Sequence, residues 1–321
     1  MKSFFGRFLP ILVLCVLTGV GAARAQSCDF AIANINFGTV TLLGGGAVDV
    51  STTIDVACRN TLNLSLQLRI CPNINAGSGG TSGADRYMRN GANQPLSFSL
   101  FQNGSRTVPW GSVTQTALGS PPPIDILLLP LTTTNTQVSL YARLNANQQT
   151  ALGGSYLSTF AGAETRFNYQ GYTLLAPACT AVTQNPTQPS FTVQAFVNRT
   201  CNVTAQGINF GARGVIASRV DSTGQLAVTC TQNLPYAIAL DGGISNGTAT
   251  ARKMRKGTET ITYGLYQDAA RTQPWGNTTG QTVSGTGTGT AQNLTVYGRV
   301  EAQNTPSPGT YNDTVVVTVT Y

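Results

Sequence analysis

The sequence predicts an all-β protein made of two immunoglobulin-like β-sandwich domains in tandem, and three observations support this. The 321 residues include 35 glycines, 10% are charged and 41% are hydrophobic, a composition that favours short strands and tight turns over helical bundles. Many segments alternate apolar with polar residues, as half-buried strands do. A set of motifs also occurs twice in the same order, which predicts two related domains.

The first 25 residues have the features of a signal peptide. Two basic residues precede an apolar run at 8–20, and residues 23–25 have the small-x-small pattern of a cleavage site. The apolar run is shorter than the roughly 20 residues that a membrane-spanning helix needs. We therefore expect export, with a mature chain that begins at Gln26.

The composition disfavours several functional classes. The chain contains no histidine, which excludes Ser-His-Asp and Cys-His catalysis and histidine-ligated zinc. Three of the 19 basic residues lie in the predicted signal peptide, so the remaining positive charge is too small to indicate nucleic-acid binding. Because no phosphate loop, calcium loop or defensible carboxylate pair occurs, we expect neither an enzyme nor a cofactor or metal.

Six cysteines lie outside the predicted signal peptide, and an even number in an exported chain indicates disulfides. Six cysteines alone allow 15 pairings. The segment CDFAIANINFGTV (28–40) resembles CNVTAQGINFGAR (201–213), and a second cysteine follows each at nearly the same spacing. The repeat therefore predicts the pairs Cys28–Cys58 and Cys201–Cys230, and leaves Cys71 to pair with Cys179.

Four further blocks repeat in order. They are RYMRNG (86–91) with RKMRKG (252–257), SLFQNGSRTVPWGS (99–112) with GLYQDAARTQPWGN (264–277), LYARL (140–144) with VYGRV (296–300), and GGSY (153–156) with PGTY (308–311). We divide the chain into a signal peptide (1–25), an N-terminal domain (26–197) and a C-terminal domain (198–321). The tryptophan of each PWG turn is expected to cap its sandwich, and the basic RKMRKG motif to form a solvated hairpin.

Alternating or β-branched segments between turn residues predict the individual strands. In the N-terminal domain these are 64–70, 96–102, 137–144, 167–176 and 190–197. In the C-terminal domain they are 236–240, 260–267, 293–300 and 313–321.

The two domains are predicted to end differently. After its GGSY block the N-terminal domain continues through two more predicted strands, whereas the sequence stops at Tyr321 within the last strand of the C-terminal domain. We expect an incomplete C-terminal sandwich that lacks its last strand and accepts one from another chain; closure with fewer strands is the alternative. The predicted acceptor edge comprises Thr314, Val315, Val316, Val317, Thr318, Val319, Thr320 and Tyr321.

The start of the mature chain predicts a position at the end of a polymer. Only two residues precede Cys28, and a donor strand that fills a groove needs about ten. We therefore expect a subunit that accepts a strand but does not give one.

An apolar run between prolines distinguishes the N-terminal domain from its repeat. Its aliphatic residues are Ile124, Ile126, Leu127, Leu128, Leu129 and Leu131. One hypothesis is a rigid, exposed loop that binds surfaces. The other is a core strand, because short unbroken apolar runs are usually buried strands. Both interpretations remain open at this point.

Taken together, the paired cysteines and the INFG, RxMRxG, PWG and GTYNDTVVVTVTY motifs resemble the spore coat protein U domain (SCPU), present twice. The two-domain form resembles the tip adhesin of archaic (Csu-type) chaperone–usher pili of Gram-negative bacteria. This resemblance implies a pilin-type C-terminal domain and four partners: a periplasmic pilus chaperone, an outer-membrane usher, an adjacent pilin that donates a strand, and an abiotic or host surface.

The resemblance also implies a route and a role. The protein would pass through the periplasm to the cell surface, at the pilus tip, and mediate attachment and biofilm formation through its N-terminal domain. The alternative is a structural subunit of a spore coat or extracellular matrix, or a minor pilus subunit without an adhesive site.

Overall fold

The computed structural model describes residues 26–321, so the predicted signal peptide lies outside the described residues. The structure is nearly all β, which confirms the predicted class. Twelve strands lie in the N-terminal half: β1 (Gln26–Ile32), β2 (Ile35–Val40), β3 (Val48–Asn60), β4 (Leu66–Ile74), β5 (Thr81–Ser82), β6 (Asp85–Arg89), β7 (Pro95–Phe101), β8 (Ile124–Leu128), β9 (Thr133–Leu144), β10 (Gly154–Phe160), β11 (Thr165–Tyr172) and β12 (Phe191–Val197). The remaining strands are β13 (Cys201–Gln206), β14 (Val220–Cys230), β15 (Pro235–Leu240), β16 (Arg252–Lys256), β17 (Glu259–Tyr266), β18 (Val283–Thr286), β19 (Gln292–Val300) and β20 (Val317–Thr320).

The helical content is confined to two short 3₁₀ turns, at Thr116–Leu118 and Gly162–Glu164. Within residues 26–321, no helix has the length and apolar character needed to cross a lipid bilayer.

The N-terminal domain packs two sheets around one core. The larger sheet has the order β1-β3-β9-β7-β6-β10-β12-β2, with β5 beside β6, and the smaller has the order β11-β4-β8. Inward-facing side chains of both sheets form a continuous buried cluster. Phe191 of β12 stacks on Phe160 of β10 with ring centroids 4.5 Å apart, so the last strand contributes directly to this core.

The C-terminal domain repeats most of this arrangement around a second core. Its larger sheet has the order β13-β14-β19-β17-β16, and its smaller sheet the order β18-β15-β20. The repeated motifs match β1, β3, β9, β7 and β6 with β13, β14, β19, β17 and β16, in the same order across the sheet. The N-terminal sheet continues past β6 for three more strands, whereas the C-terminal sheet ends at β16.

Three disulfides are present, and they are the pairs that the repeat predicts. Cys28 and Cys58 face each other on β1 and β3, as Cys201 and Cys230 do on β13 and β14. The third disulfide joins Cys71 of β4 to Cys179, 108 residues later.

Each domain also buries an arginine next to its tryptophan, which corrects one prediction. Arg252 belongs to the motif predicted to be a solvated hairpin, yet it is fully buried. Its guanidinium donates hydrogen bonds to the carbonyl oxygens of Leu240, Asp241, Ala249 and Trp275. Arg86 occupies the same position in the N-terminal domain. Burial lowers the pKa of both guanidiniums, but the carbonyl oxygens satisfy their donors and make the burial tolerable.

The tryptophans themselves lie inside the sandwiches. Trp110 and Trp275 are almost fully buried, and their indole N–H groups donate to the carbonyl oxygens of Pro72 and Ile238. Because these bonds are equivalent, Pro72 of β4 corresponds to Ile238 of β15.

Candidate functional site

The last strand of the N-terminal domain fills a defined place. Strand β12 pairs antiparallel with β10, from Gly154 opposite Val197 to Phe160 opposite Phe191, and parallel with β2. Alternate side chains of β12 point into the core and are buried: Phe191, Val193, Ala195 and Val197. This strand therefore closes the sandwich between β10 and β2.

The corresponding place in the C-terminal domain holds no strand. The second INFG motif, the counterpart of the one in β2, lies within residues 207–212, and the repeat matches β10 with residues 309–315. Neither segment forms a strand. A bridge between Arg255 and Asn312 ties the second segment to β16, as Leu157 and Arg89 tie β10 to β6. Within residues 26–321, no strand lies between these two segments and pairs with them.

A groove opens where the strand is missing, and we call it the acceptor groove. It consists of two adjoining clefts of about 230 and about 700 Å³, both lined by residues of 207–212 and of 309–315. Its floor is formed by core side chains of the C-terminal domain: Leu226, Leu240, Met254, Tyr263, Leu265 and Val296.

Side chains along the acceptor groove are less buried than their counterparts. Ile35 and Phe37 of the first INFG motif are buried, whereas Ile208 and Phe210 of the second are only half-buried. The same holds across the groove, where the buried side chains of β10 correspond to half-buried ones at 309–315. A groove with apolar walls and unpaired backbone on both sides is suited to an added β-strand.

One polar pair distinguishes the floor of the acceptor groove. The Tyr263 hydroxyl donates a 2.7 Å hydrogen bond to Oδ2 of Asp313, whose Oδ1 accepts from the backbone N–H groups of Ile244 and Thr314. Burial, followed by this hydrogen bond, raises the pKa of Tyr263 above its ordinary value. The corresponding residues of the N-terminal domain are Phe98 and Ser158, so only the C-terminal domain has this carboxylate–phenol pair.

The predicted acceptor edge, residues 314–321, overlaps one wall of the groove. Residues Val317–Thr320 form β20, which pairs with β15 on one side and is an edge strand on the other. Thr314, Val315 and Val316 precede this strand, and Tyr321 follows it as an exposed residue. The groove extends beyond the prediction to residue 309, and its second wall, 207–212, was missed. The repeated INFG motif was the available signal.

The apolar run of the N-terminal domain is neither a free loop nor a wholly buried strand. It forms β8, which pairs with β4. Leu128 is buried, and Ile124 and Ile126 pack against the core, so the exposed-loop hypothesis is wrong for these three. Leu127 is 48% exposed, and Leu129 and Leu131, beyond the strand, are 52% and 67% exposed. The alternation of a strand explains the division into two faces.

Other exposed leucines lie at the same end of the small sheet. Leu64 precedes β4, and Leu174 and Leu175 follow β11, which ends at Tyr172 opposite Gln67 of β4. Leu174 and Leu175 are 96% and 85% exposed. We call this set the leucine tip: Leu64, Leu127, Leu129, Leu131, Leu174 and Leu175.

Asn60 holds two loops of the leucine tip together. Its side chain is buried, and its Nδ2 donates to the carbonyl oxygens of Leu64 (2.8 Å) and Leu129 (3.1 Å). The backbone N–H of Leu131 in turn donates to the carbonyl oxygen of Leu62. The apolar side chains therefore stand on loops whose backbone is fixed by hydrogen bonds.

The leucine tip lies at the end of the N-terminal domain opposite the C-terminal domain. Strand β9 begins just after Leu131 and runs for 12 residues, roughly 40 Å. Beyond its far end, a bridge joins Leu152 to Gln232 of the C-terminal domain, and the chain crosses between the domains after β12. This position leaves the leucines free to meet an external partner.

The sequence predicted neither Leu64 nor the Leu174–Leu175 pair as part of a site. The predicted strand 167–176 included both leucines, but β11 stops at Tyr172. Adjacent side chains of a strand face opposite sides, so two neighbouring leucines before Ala176 and Pro177 were a signal that one of them would be exposed. In the part of the chain that the structure describes, no group of three or more Cys, Asp or Glu residues could hold a metal ion.

Comparisons with known proteins agree with this geometry. A sequence model of the Spore Coat Protein U domain matches residues 15–162 and again 187–318. Protein U of Myxococcus xanthus is 41% identical over 107 residues, which are 31% of this chain. The chain covers 59% of that relative's length.

Two solved structures match this chain to different degrees. The crystal structure of the CsuC–CsuE chaperone–tip adhesion subunit pre-assembly complex, from archaic chaperone–usher Csu pili of Acinetobacter baumannii, matches with a TM-score of 0.54 at 15% identity, covering 92% of this chain and 100% of that chain. The CupB6 tip adhesin of Pseudomonas aeruginosa matches with a TM-score of 0.33 at 10% identity, covering 92% of this chain and 93% of that one.

The fold is thus similar to that of the Acinetobacter tip subunit. The two matched stretches make up most of the chain and contain the paired motifs on corresponding strands. This chain therefore belongs to the spore coat protein U domain family and carries that domain twice.

Proposed function

We propose that this protein is the tip adhesin of an archaic chaperone–usher pilus. The C-terminal domain (198–321) accepts a donor strand from the next pilin, and the N-terminal domain (26–197) attaches the pilus to surfaces and promotes biofilm formation. The observation that carries the proposal is the unfilled place between residues 207–212 and 309–315. In the N-terminal domain, β12 occupies the corresponding place.

The direction of β12 in the N-terminal domain indicates the direction of the donor strand in the C-terminal domain. Because β12 runs antiparallel to β10 and parallel to β2, the donor strand runs antiparallel to 309–315 and parallel to 207–212. It continues along the free edge of β20, as residues near Thr187 do along β11. Four alternate donor side chains enter the acceptor groove, and each buried CH₂ group contributes about 0.8 kcal/mol.

The same unfilled groove supports the proposed partners. An exposed apolar groove with free backbone edges aggregates unless it is covered, so a periplasmic chaperone covers it before assembly and an outer-membrane usher passes the subunit to its neighbour. The Acinetobacter tip subunit with the same fold was crystallised with a chaperone. The proposed route runs from the signal peptide through the periplasm to the cell surface, and involves no enzymatic activity, cofactor or nucleic acid.

The leucine tip is the proposed adhesive site. Its side chains carry no hydrogen-bonding group, so they favour apolar surfaces, abiotic or host, over polar ones. Burying a leucine fully contributes roughly 1.5–3 kcal/mol, so several partly buried leucines give a contact that many pili on one cell strengthen together. The loops already have fixed backbones, which lowers the entropic cost of contact.

The decisive experiment supplies the missing strand. Residues 190–197 (SFTVQAFV) are appended after Tyr321 through a short glycine-rich linker, and the full chain is compared with and without this addition. A control addition carries aspartate at the positions of Phe191 and Val193. We expect the apolar strand alone to raise the melting temperature of the C-terminal domain and to prevent aggregation.

Two outcomes oppose this part of the proposal. If the unmodified chain is already as stable and monomeric as the extended one, the C-terminal domain is closed without a donor. If both additions stabilise equally, the acceptor groove does not select inward apolar side chains.

The name of the family favours a second candidate function, that of a structural subunit of a coat or matrix. It is distinguished by replacing Leu129, Leu131, Leu174 and Leu175 with serine. Loss of surface attachment with unchanged assembly favours the adhesin, whereas unchanged attachment favours the structural subunit.

A further inference from the structure

We propose that Arg69 and the Cys71–Cys179 disulfide act together as a clamp that holds the loop 173–178 in position, so that Leu174 and Leu175 project from the N-terminal domain. The inference rests on the proposed adhesive function of the leucine tip and names the residues that position its most exposed part. None of the three residues is proposed to contact the external surface itself, so all three are positioning residues.

The disulfide belongs to the N-terminal domain alone. Pro72 and Ile238 accept the equivalent tryptophan hydrogen bonds, so the preceding residue, Cys71, corresponds to Ala237. The C-terminal domain therefore has no such bridge, and it also lacks the loop that the bridge fastens. Cys71 is fully buried in β4, which makes it a rigid anchor for Cys179.

Arg69 forms a second attachment two residues earlier on the same face of β4. Its Nε and Nη2 donate to the two carboxylate oxygens of Asp125 on β8, at 2.7 and 2.6 Å. Its Nη1 donates to the carbonyl oxygen of Pro177 at 2.8 Å. The guanidinium thus links the neighbouring strand and the end of the loop, a geometry that its planar, forked donors favour.

The loop is consequently held at both ends. Before it, Tyr172 pairs with Gln67 in the sheet. After it, Val182 is buried, and the Asn168 side chain donates to the carbonyl oxygens of Thr183 and Gln184. The free span is therefore short, and Leu174 and Leu175 lie in its middle.

The clamp explains how two leucines can remain almost fully exposed. In a loose loop, apolar side chains fold back onto nearby apolar surface, because this burial lowers the free energy. A loop attached at both ends loses that freedom, so the leucines remain available and less ordering is needed on contact with a surface.

The test uses the purified full chain and adsorption to methyl-terminated and hydroxyl-terminated monolayers. The variants are C71A/C179A and R69Q, with C201A/C230A as the matched control in the other domain and L174S/L175S as the test of the site itself. Hydrogen exchange of residues 173–178 reports whether the loop has loosened. R69Q keeps the disulfide, so it still tests the clamp if C71A/C179A does not fold.

We expect both clamp variants to speed exchange in the loop and to weaken binding to the methyl surface by about tenfold, while C201A/C230A leaves both unchanged. If the loop loosens without weaker binding, or does not loosen, the clamp proposal is overturned. If L174S/L175S also leaves binding unchanged, the proposed adhesive function fails with it; if L174S/L175S abolishes binding, that function stands without the clamp.

Discussion

The two domains share a buried arginine, a buried tryptophan and five corresponding strands of the larger sheet, but only one of them contains its closing strand. The N-terminal domain uses β12 to complete its sheet and presents leucines at its far end. The C-terminal domain leaves the same place unfilled and presents a groove. The comparison teaches that one strand decides whether this sandwich closes on itself or leaves a groove open.

The INFG motif makes the point at the level of four residues. The same tetrapeptide forms part of β2 at 35–38 but forms no strand at 208–211. In the first case β12 pairs with it, and in the second nothing among the described residues does. Strand formation here depends on the partner and not on local propensity.

The largest expected effect comes from making the N-terminal domain resemble the C-terminal one. Val193→Asp places a charge at a fully buried position of β12 and should destabilise the N-terminal domain by about 3–5 kcal/mol. Urea unfolding followed by the fluorescence of Trp110, in a Trp275→Phe background, measures this. Gln194→Asp, on the exposed face of the same strand, is the control; an equal loss from both would mean that β12 does not close the core.

The paired phenylalanines of the INFG motifs sharpen the comparison. Phe37→Ala should cost about 3–5 kcal/mol because the ring is buried, whereas Phe210→Ala should cost about 1 kcal/mol because its ring is half-buried. When the donor strand is appended after Tyr321, the cost of Phe210→Ala should rise towards that of Phe37→Ala. Chemical denaturation of the unmodified chain, the extended chain and their variants measures these costs. An unchanged cost of Phe210→Ala in the extended chain would mean that Phe210 does not contact the added strand.

Adjacent leucines at the end of β8 test the division between core and tip. Leu128→Ala should cost about 2–5 kcal/mol of stability, because the side chain is fully buried. Leu129→Ser should change stability by less than about 0.5 kcal/mol but reduce adsorption to a methyl surface. Melting temperatures and adsorption isotherms of both variants provide the comparison. A stability loss at Leu129 as large as that at Leu128 would remove it from the leucine tip.

A modest effect is expected from the polar pair of the groove floor. Tyr263→Phe converts the residue to the type found at Phe98 and removes the hydrogen bond to Asp313. We expect the C-terminal domain to lose about 0.5–1.5 kcal/mol, with the N-terminal domain unaffected. Thermal unfolding measures the change; a gain in stability would mean that the pair is strained and not supportive.

Much of the architecture could be predicted from the repeated motifs and the alternation of residues. The predicted strand 137–144 lies within β9, and 236–240 lies within β15. Predictions failed where a side chain's surroundings mattered more than its type. Arg252 lies in a basic motif that indicates solvent exposure, but four carbonyl oxygens converge on it inside the domain.

The leucine tip illustrates the same limit. Its six residues come from three separate stretches, and only the run after residue 123 stood out in the sequence as a candidate. Leu64 and the Leu174–Leu175 pair reach the same end of the sheet because β4, β8 and β11 pair in one register. That register is a long-range property, which no local pattern contains.

The sequence by itself determined the all-β class, the presence of two related domains and the cysteine positions that join their first strands, because these depend on local alternation and on repetition. Only the tertiary structure decided which apolar side chains are exposed, where the acceptor groove lies and that its second wall is the unpaired INFG segment. These features depend on which strands lie side by side, and a strand acquires its partner from distant parts of the chain or from another chain.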